Sequence, residues 1–255
     1  MQVTRVVPLY AEVDQSLGGR WTSLRTAGRE WLWHRADPAR AGVTPGSPFV
    51  DVGGLEECVP TVRGVPDHGD AWSRPWHGAG VDCPDFTLTR SLGSEGGAVV
   101  ADYELVAEPG YRFVWAAHAL LDVGQGARLD APPGTPVLIT DPVPVLRSWP
   151  AGLDSLGPDD GTAAGAVLER GRIRVIDGDQ QLDLRVECAG QPVSIALWRN
   201  LKGWPDDDPY RSIGVEPMIG RTFDRRDGTR PVAVVPASGS VRWRLTITAH
   251  VEGAE

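Results

Sequence analysis

The sequence predicts an all-β fold, built as a large antiparallel β-sandwich. Three observations lead there. Many short segments alternate apolar and polar residues. Glycine (31 residues) and proline (22) fall mostly between those segments. No long stretch carries an apolar period of 3.6 residues. Short period-two segments punctuated by turn residues build sandwiches or barrels of antiparallel sheets.

Taken in chain order, WTSLRTAGREWLWHR (residues 21–35) reads as a hairpin turning near Ala27–Gly28. GGAVVADYELVAE (96–108) is a period-two strand. RIRVIDGDQQLDLRVEC (172–188) reads as two strands joined at Asp177–Gly178, with Leu182, Leu184, Val186 and Cys188 facing away from Asp183, Arg185 and Glu187. VRWRLTITAHV (241–251) places Val241, Trp243, Leu245, Ile247 and Ala249 on one buried face. Residues 131–165 are rich in Pro, Gly and Asp and read as a long loop region within one domain, because the flanking strand patterns match in character.

The 255 residues are read as a single domain, 1–255. A 41% hydrophobic content leaves room for a sizeable core. The net charge of −9 argues against nucleic acid or an anionic membrane surface as the main partner. No apolar run approaches membrane-spanning length, and MQVTRVVPLY lacks the basic-then-apolar form of a signal peptide. Cys58, Cys83 and Cys188 are too scattered for a disulfide framework or a CxxC metal motif. Free thiols in a cytoplasmic protein are the expectation.

Three segments carry candidate chemistry. In RSIGVEPMIG (211–220), Glu216 is the one acid among small and apolar residues, and Pro217 biases it toward extended backbone. In that geometry Gly214 and Glu216 point away from Ile213 and Val215. Glu216 then serves either as a general base or as an ion-pair partner of Arg211 or Arg221. In FVWAAHALLDVGQG (113–126), His118 lies in an apolar run and shares a face with Val114, Ala116 and Leu120. It is either an acid–base group or a core histidine bonded to a carbonyl. VPDHGDAWSRPWHG (65–78) gathers His68, His77, Asp67, Asp70, Arg74, Trp72 and Trp76 on a loop. Polar side chains beside indoles suit a sugar, whose hydroxyls need directional partners and whose C–H face packs on an aromatic ring. His68 and His77 match no zinc-ligand spacing, so no metal site is expected.

The chain resembles the aldose 1-epimerase-like, or galactose mutarotase, family. GGRWTSLRTAGREWLWHR is similar to that family's N-terminal hairpin, and DVGGLEECVPTV to its GG-x-x-E-C-x-P-T segment. PDHGDAWSRPW resembles its substrate loop, and FVWAAHALLDVGQGARL the strand bearing its acid histidine. IGVEP and VVPASGSVRWRLTITAHV resemble its closing pattern. The matches keep their order from about Leu17 to Val251. WRNLKGWP, with Trp198 and Trp204, resembles a segment of a divergent branch.

The resemblance implies the large β-sandwich known as a supersandwich and a cofactor-free interconversion of sugar anomers. It implies Glu216 as base, His118 as acid on the opposite side of the sugar ring, and His68 bonding the substrate near the ring oxygen. Trp72, Arg74 and Trp198 are the expected substrate-binding residues. The N-R motif and separate aspartate of typical galactose mutarotases have no match, and Arg74 is the candidate to replace that arginine. A sugar phosphate held by Arg74 and Arg221, or a glycosylated natural product, is therefore as open as galactose or glucose. Two further readings stand beside the epimerase: a carbohydrate-binding protein without turnover, and a lyase or isomerase on the same scaffold. The expected partner in each is a small-molecule carbohydrate.

Overall fold

The computed structural model describes residues 4–141 and 143–253. Two large antiparallel sheets account for most of the strands, and two short 3-10 turns, Pro38–Gly42 and Ala71–Ser73, are the only helix among the described residues. The anticipated strands are present. The hairpin pairs Arg20–Thr26 with Arg29–Glu30. Arg172–Asp177 and Ser240–Glu252 follow the period-two pattern, whereas Ala98–Ala107 and Gln180–Glu187 alternate only in their second halves, with Ala98–Ala101 and Gln181–Leu184 buried on both faces. Along the last, Val241, Trp243, Leu245, Ile247 and Ala249 are all buried.

The eight-stranded sheet runs in space from Arg128–Asp130 through Arg172–Asp177, Gln180–Glu187, Ser240–Glu252, Ala98–Ala107 and Phe86–Glu95 to Gly80–Asp82. Thr4–Val7 adds to Ser240–Glu252. The ten-stranded sheet carries the candidate site. Its order is Val145–Ser148, Pro136–Ile139, Thr162–Leu168, Val193–Leu201, Arg211–Ile219, Trp115–Leu121, Leu55–Cys58, Arg20–Thr26 and Tyr10–Asp14. The main core fills the space between the sheets: Trp243 meets Trp115 at a ring separation of 5.2 Å, and Tyr103 meets Trp115 at 4.8 Å.

A charged cluster is sealed in that core. Glu57, on the site-bearing sheet, is fully buried. Its carboxylate accepts from Arg90 Nη1 (2.6 Å) and Tyr103 Oη (2.9 Å) of the opposite sheet and from Trp115 Nε1 (2.8 Å) of its own. A buried carboxylate requires such partners to remain in a dry interior.

Two sequence readings need correction. Residues 131–165 are not a plain loop. They contain Pro136–Ile139 and Val145–Ser148 and the start of Thr162–Leu168, which extend the site-bearing sheet at one edge. Four-residue edge strands flanked by proline are too short to show a period. Asp183 was expected on an open face but is 7% exposed, because Arg172 covers it from the neighbouring strand with a two-oxygen contact (Nη2–Oδ2 2.7 Å, Nε–Oδ1 2.8 Å). Cys58 is a buried free thiol, and Cys83 and Cys188 are half-buried free thiols.

Candidate active site

The outer face of the ten-stranded sheet is a second buried surface. Val114, Ala116, Cys58, Ala196 and Met218 form a small apolar cluster there, under loops rather than under the other sheet. Alternation therefore splits the central strands as the extended reading requires. Ile213 and Val215 enter the main core while Glu216 turns outward, yet Glu216 stays 3% exposed because loops cover that face.

Strand register brings His118 and Glu216 together. Glu56 lies opposite His118, and Ala196 lies opposite Glu216. Between Trp115–Leu121 and Arg211–Ile219 the paired residues are Ala116 with Met218 and Leu120 with Gly214, which bracket His118 against Glu216. The recorded pairing lapses between those two points, and the lapse coincides with Pro217, which has no N–H to donate. His118 Nε2 stands 3.8 Å from Glu216 Oε1. The two groups are side by side on a cavity floor, not on opposite sides of a ligand. Neither arginine proposed as an ion partner serves Glu216: Arg211 pairs with Asp159 (2.8 Å) and Arg221 with Glu169 (2.9 Å).

Gly214 makes the position of the carboxylate possible. A Cβ at residue 214 would fall 2.5 Å from Glu216 Oε1 and 3.0 Å from Trp198 Cβ. The Glu216 side chain thus lies back along its own strand over a missing side chain. Gly214→Ala is expected to swing the carboxylate off the floor and to lower any activity that depends on Glu216 on the order of 100-fold. Folding stability should fall by about 1–3 kcal/mol, because the added Cβ also crowds Trp198 Cβ on the paired strand. Steady-state kinetics and a urea titration of the variant check both parts.

Burial pushes the Glu216 carboxyl above its ordinary 4.5, against the pull of His118 and Arg63, and Asp51 adds to the rise. Beside His118, Glu56 is buried with its carboxyl pushed up to about 7, where desolvation outweighs Arg40 and Arg20. Arg40 Nη2 lies 2.9 Å from Glu56 Oε1, although neither atom gains an aligned hydrogen bond among the described residues.

A loop delivers His68 to the same cavity. Its backbone doubles back on the segment after Cys58, with His68 N donating to Val62 O (3.0 Å) and Asp70 N to Val59 O (2.7 Å). Gly69 permits the turn: its φ is +78°, and a Cβ there would sit 2.1 Å from Val59 O. His68 stacks on Phe49 (3.6 Å between ring centres) and meets His118 edge-on at 5.1 Å. Burial holds the His68 imidazole below its ordinary 6.5, opposed by the Asp67 contact at 2.9 Å.

The cavity has a volume of about 810 Å³ and is lined by Glu216, His118, His68 and Trp198, among others. Trp72 and Arg74 do not line it. Trp72 is fully buried and meets Phe49 edge-on at 4.9 Å, so it backs the wall from behind. Arg74 lies beside Asp70 at 3.9 Å, away from the floor. The guanidinium in the lining is Arg63, which the sequence reading missed. Asp141 holds it through both oxygens (3.1 and 3.3 Å), and it sits 5.5 Å from the rings of Trp198 and Phe223. Gly165 admits that pair, since a Cβ there would come within 2.7 Å of Asp141 Oδ2.

Asp51, Asp67, Asp141 and Trp204 also line the cavity and were not assigned to the site from sequence. Trp204 carried a signal through WRNLKGWP and Asp67 through the VPDHGDAWSRPWHG loop, whereas Asp51 and Asp141 carried none. With Arg74 and Arg221 both outside, and Arg63 already paired, the lining offers a phosphate no free cation among the described residues. No group of three or more His, Cys, Asp or Glu among the described residues could hold a metal ion.

The chain matches no family model and no curated protein. Its fold is that of galactose mutarotase-like proteins. The Slr1438 protein of Synechocystis sp. PCC 6803 superposes with a TM-score of 0.73 at 14% identity, over 99% of this chain and 97% of that one. A galactose mutarotase related enzyme of Lactobacillus acidophilus gives 0.62 at 11% identity, over 100% and 99%. A galactose mutarotase-like protein of Lactobacillus casei gives 0.61 at 13%, over 98% and 100%. At these identities the likeness speaks to the fold. No helix among the described residues is long and apolar enough to cross a membrane.

Proposed function

We propose that the protein is an aldose 1-epimerase-like isomerase that interconverts the anomers of a sugar, with Glu216 as base and His118 as acid. The observation that carries this is their 3.8 Å separation on one cavity floor. The anomeric hydroxyl and the ring oxygen of an aldose share a single carbon. An acid and a base that serve both oxygens must therefore be neighbours.

Glu216 takes the proton from the anomeric hydroxyl as His118 gives one to the ring oxygen. The C1–O bond of the ring breaks and an open-chain aldehyde forms. Rotation about C1–C2 presents the other carbonyl face, and reclosure returns both protons to where they began. His68 and Trp198 bind the sugar in this reading, and Trp72 supports Phe49 from behind. Arg74 has no substrate contact in it. Asp51, Asp67 and Asp141 supply acceptors for hydroxyls.

The test is the anomer exchange of freshly dissolved aldoses, followed by NMR with and without protein. Acceleration that disappears in Glu216→Gln supports the proposal. Saturable binding without acceleration selects a carbohydrate-binding protein, and any product other than the opposite anomer selects a different isomerase or a lyase.

The base must be ionised, so kcat/KM should fall on the acid side with a limb above pH 4.5, in the direction that burial drives Glu216. Asp51→Asn removes a charge that adds to the rise and is expected to move that limb to lower pH. A pH–rate profile of both proteins reads the shift, and an unchanged limb would count against Glu216 as the titrating base.

A further inference from the structure

Of ten tryptophans, all but Trp33, Trp198 and Trp204 are buried. Those three belong to one aromatic row. Trp198 meets Trp204 edge-on at 5.9 Å, Trp204 lies 6.2 Å from Tyr210, and Tyr210 stacks on Trp33 at 5.6 Å with a 5° tilt. Trp198 and Trp204 line the cavity, and Trp204 is 49% exposed.

A single exposed indole is ordinary. This one is held in place. Asn200 is fully buried and its side chain makes five hydrogen bonds. Its oxygen accepts from Gly203 N and Trp204 N, and its two N–H groups donate to Trp204 O and Tyr210 O, one of them shared with Ser212 Oγ at 3.2 Å. Gly203 is pressed on the next strand, where a Cβ would fall 2.3 Å from Thr162 C. A buried amide thus fixes both ends of the 204–210 loop. A rigid, half-exposed aromatic face binds with little ordering cost. Polar groups stand beside it: Tyr210 Oη donates to Asp51 (2.8 Å), and the Arg35 guanidinium lies 4.7 Å over the Tyr210 ring. Aromatic faces edged with hydrogen-bonding groups suit a pyranose. The 810 Å³ volume lies in the upper part of the ~300–1,000 Å³ range of small-molecule sites, well beyond the need of one sugar ring.

We propose that Trp204, with Tyr210 and Asp51 beside it, forms a second sugar subsite, and that the substrate is a reducing saccharide of two or more rings. Its terminal ring lies over Glu216 and His118, and the next ring stacks on Trp204. This assignment rests on the anomer-exchange reading for its orientation.

The experiment compares glucose with maltose and cellobiose, using NMR anomer exchange for kcat/KM and calorimetry on Glu216→Gln for binding. The wild-type protein is expected to favour at least one disaccharide by about tenfold. Trp204→Ala should lose about tenfold on that disaccharide and less than about twofold on glucose, while Trp204→Phe keeps most of the preference. Equal losses on both sugars, or no preference in the wild type, overturn the subsite. Disaccharide binding that weakens only with Trp204→Ala, in a protein that accelerates no anomer exchange, keeps the subsite and removes the epimerase reading. Turnover of glucose with no disaccharide binding does the reverse.

Discussion

Glu216→Gln is expected to lower the rate of anomer exchange by about 10²–10⁴-fold and to leave the fold intact. The amide keeps the shape of the carboxyl and removes its basicity. Stability should hold or rise at pH 7, for a reason the burial supplies. The folded chain binds the Glu216 proton more tightly than the unfolded chain does, so ionised Glu216 opposes folding above the ordinary carboxylate range. Glutamine carries no such cost, and its advantage should fade as the pH falls through that range. His118→Asn is expected to produce a loss of similar size. The double variant should lose little more than the worse single one, because acid and base act in the same step. Independent, multiplicative losses would show that the two residues do not form one machine.

Arg90→Met is expected to produce the largest loss of stability, about 3–5 kcal/mol, or roughly 10 °C in melting temperature. Arg90 is the cationic partner of Glu57 in the space between the sheets, at 2.6 Å, with side-chain exposures of 2% and 0%. Methionine replaces the aliphatic bulk and leaves a carboxylate in an apolar interior. Tyr103 and Trp115 still donate to it, but they cannot balance its charge. Glu57→Gln on the Arg90→Met background should recover a large part of the loss, since a neutral amide can accept from Trp115 Nε1 through its oxygen and donate to the Tyr103 hydroxyl through its nitrogen. Urea midpoints of the three variants measure this. A double variant no better than Arg90→Met would locate the damage in packing, including the stacking of the guanidinium 4.7 Å over Trp76.

The sequence read well where one face of a strand meets solvent. Ser240–Glu252 declares itself by alternation because charged and apolar residues take turns along it. Arg211–Ile219 does not, since Ser212 through Ile219 are buried on both faces. There the preference of a residue before proline settled the direction of Glu216. Sequence also reached His68, His118, Glu216 and Trp198, which all line the cavity.

It could not rank like residues on loops. Trp72 and Trp198 are the same side chain near similar motifs, yet one is sealed behind Phe49 and the other lines the cavity. Arg63 and Arg74 lie eleven positions apart, and only the fold of the intervening loop decides which guanidinium reaches the ligand space. Asp141 reaches Arg63 across 78 positions, beside a glycine whose purpose is invisible without the neighbouring strand. Nor could a linear motif show that His118 and Glu216 stand shoulder to shoulder, because that follows from register between strands nearly a hundred residues apart.

The placement of Glu216 and His118 on adjacent central strands has a consequence for how such a protein can change. Both side chains stand on paired central strands of the sheet, while Phe49, Arg63, His68 and Trp204 arrive on connections that hang over it. Those connections can be lengthened, shortened or exchanged without disturbing the spacing of Glu216 and His118. Under the proposed anomer exchange, new preferences for sugar size or linkage can therefore emerge by editing the canopy alone, with the Glu216–His118 pair unchanged beneath it.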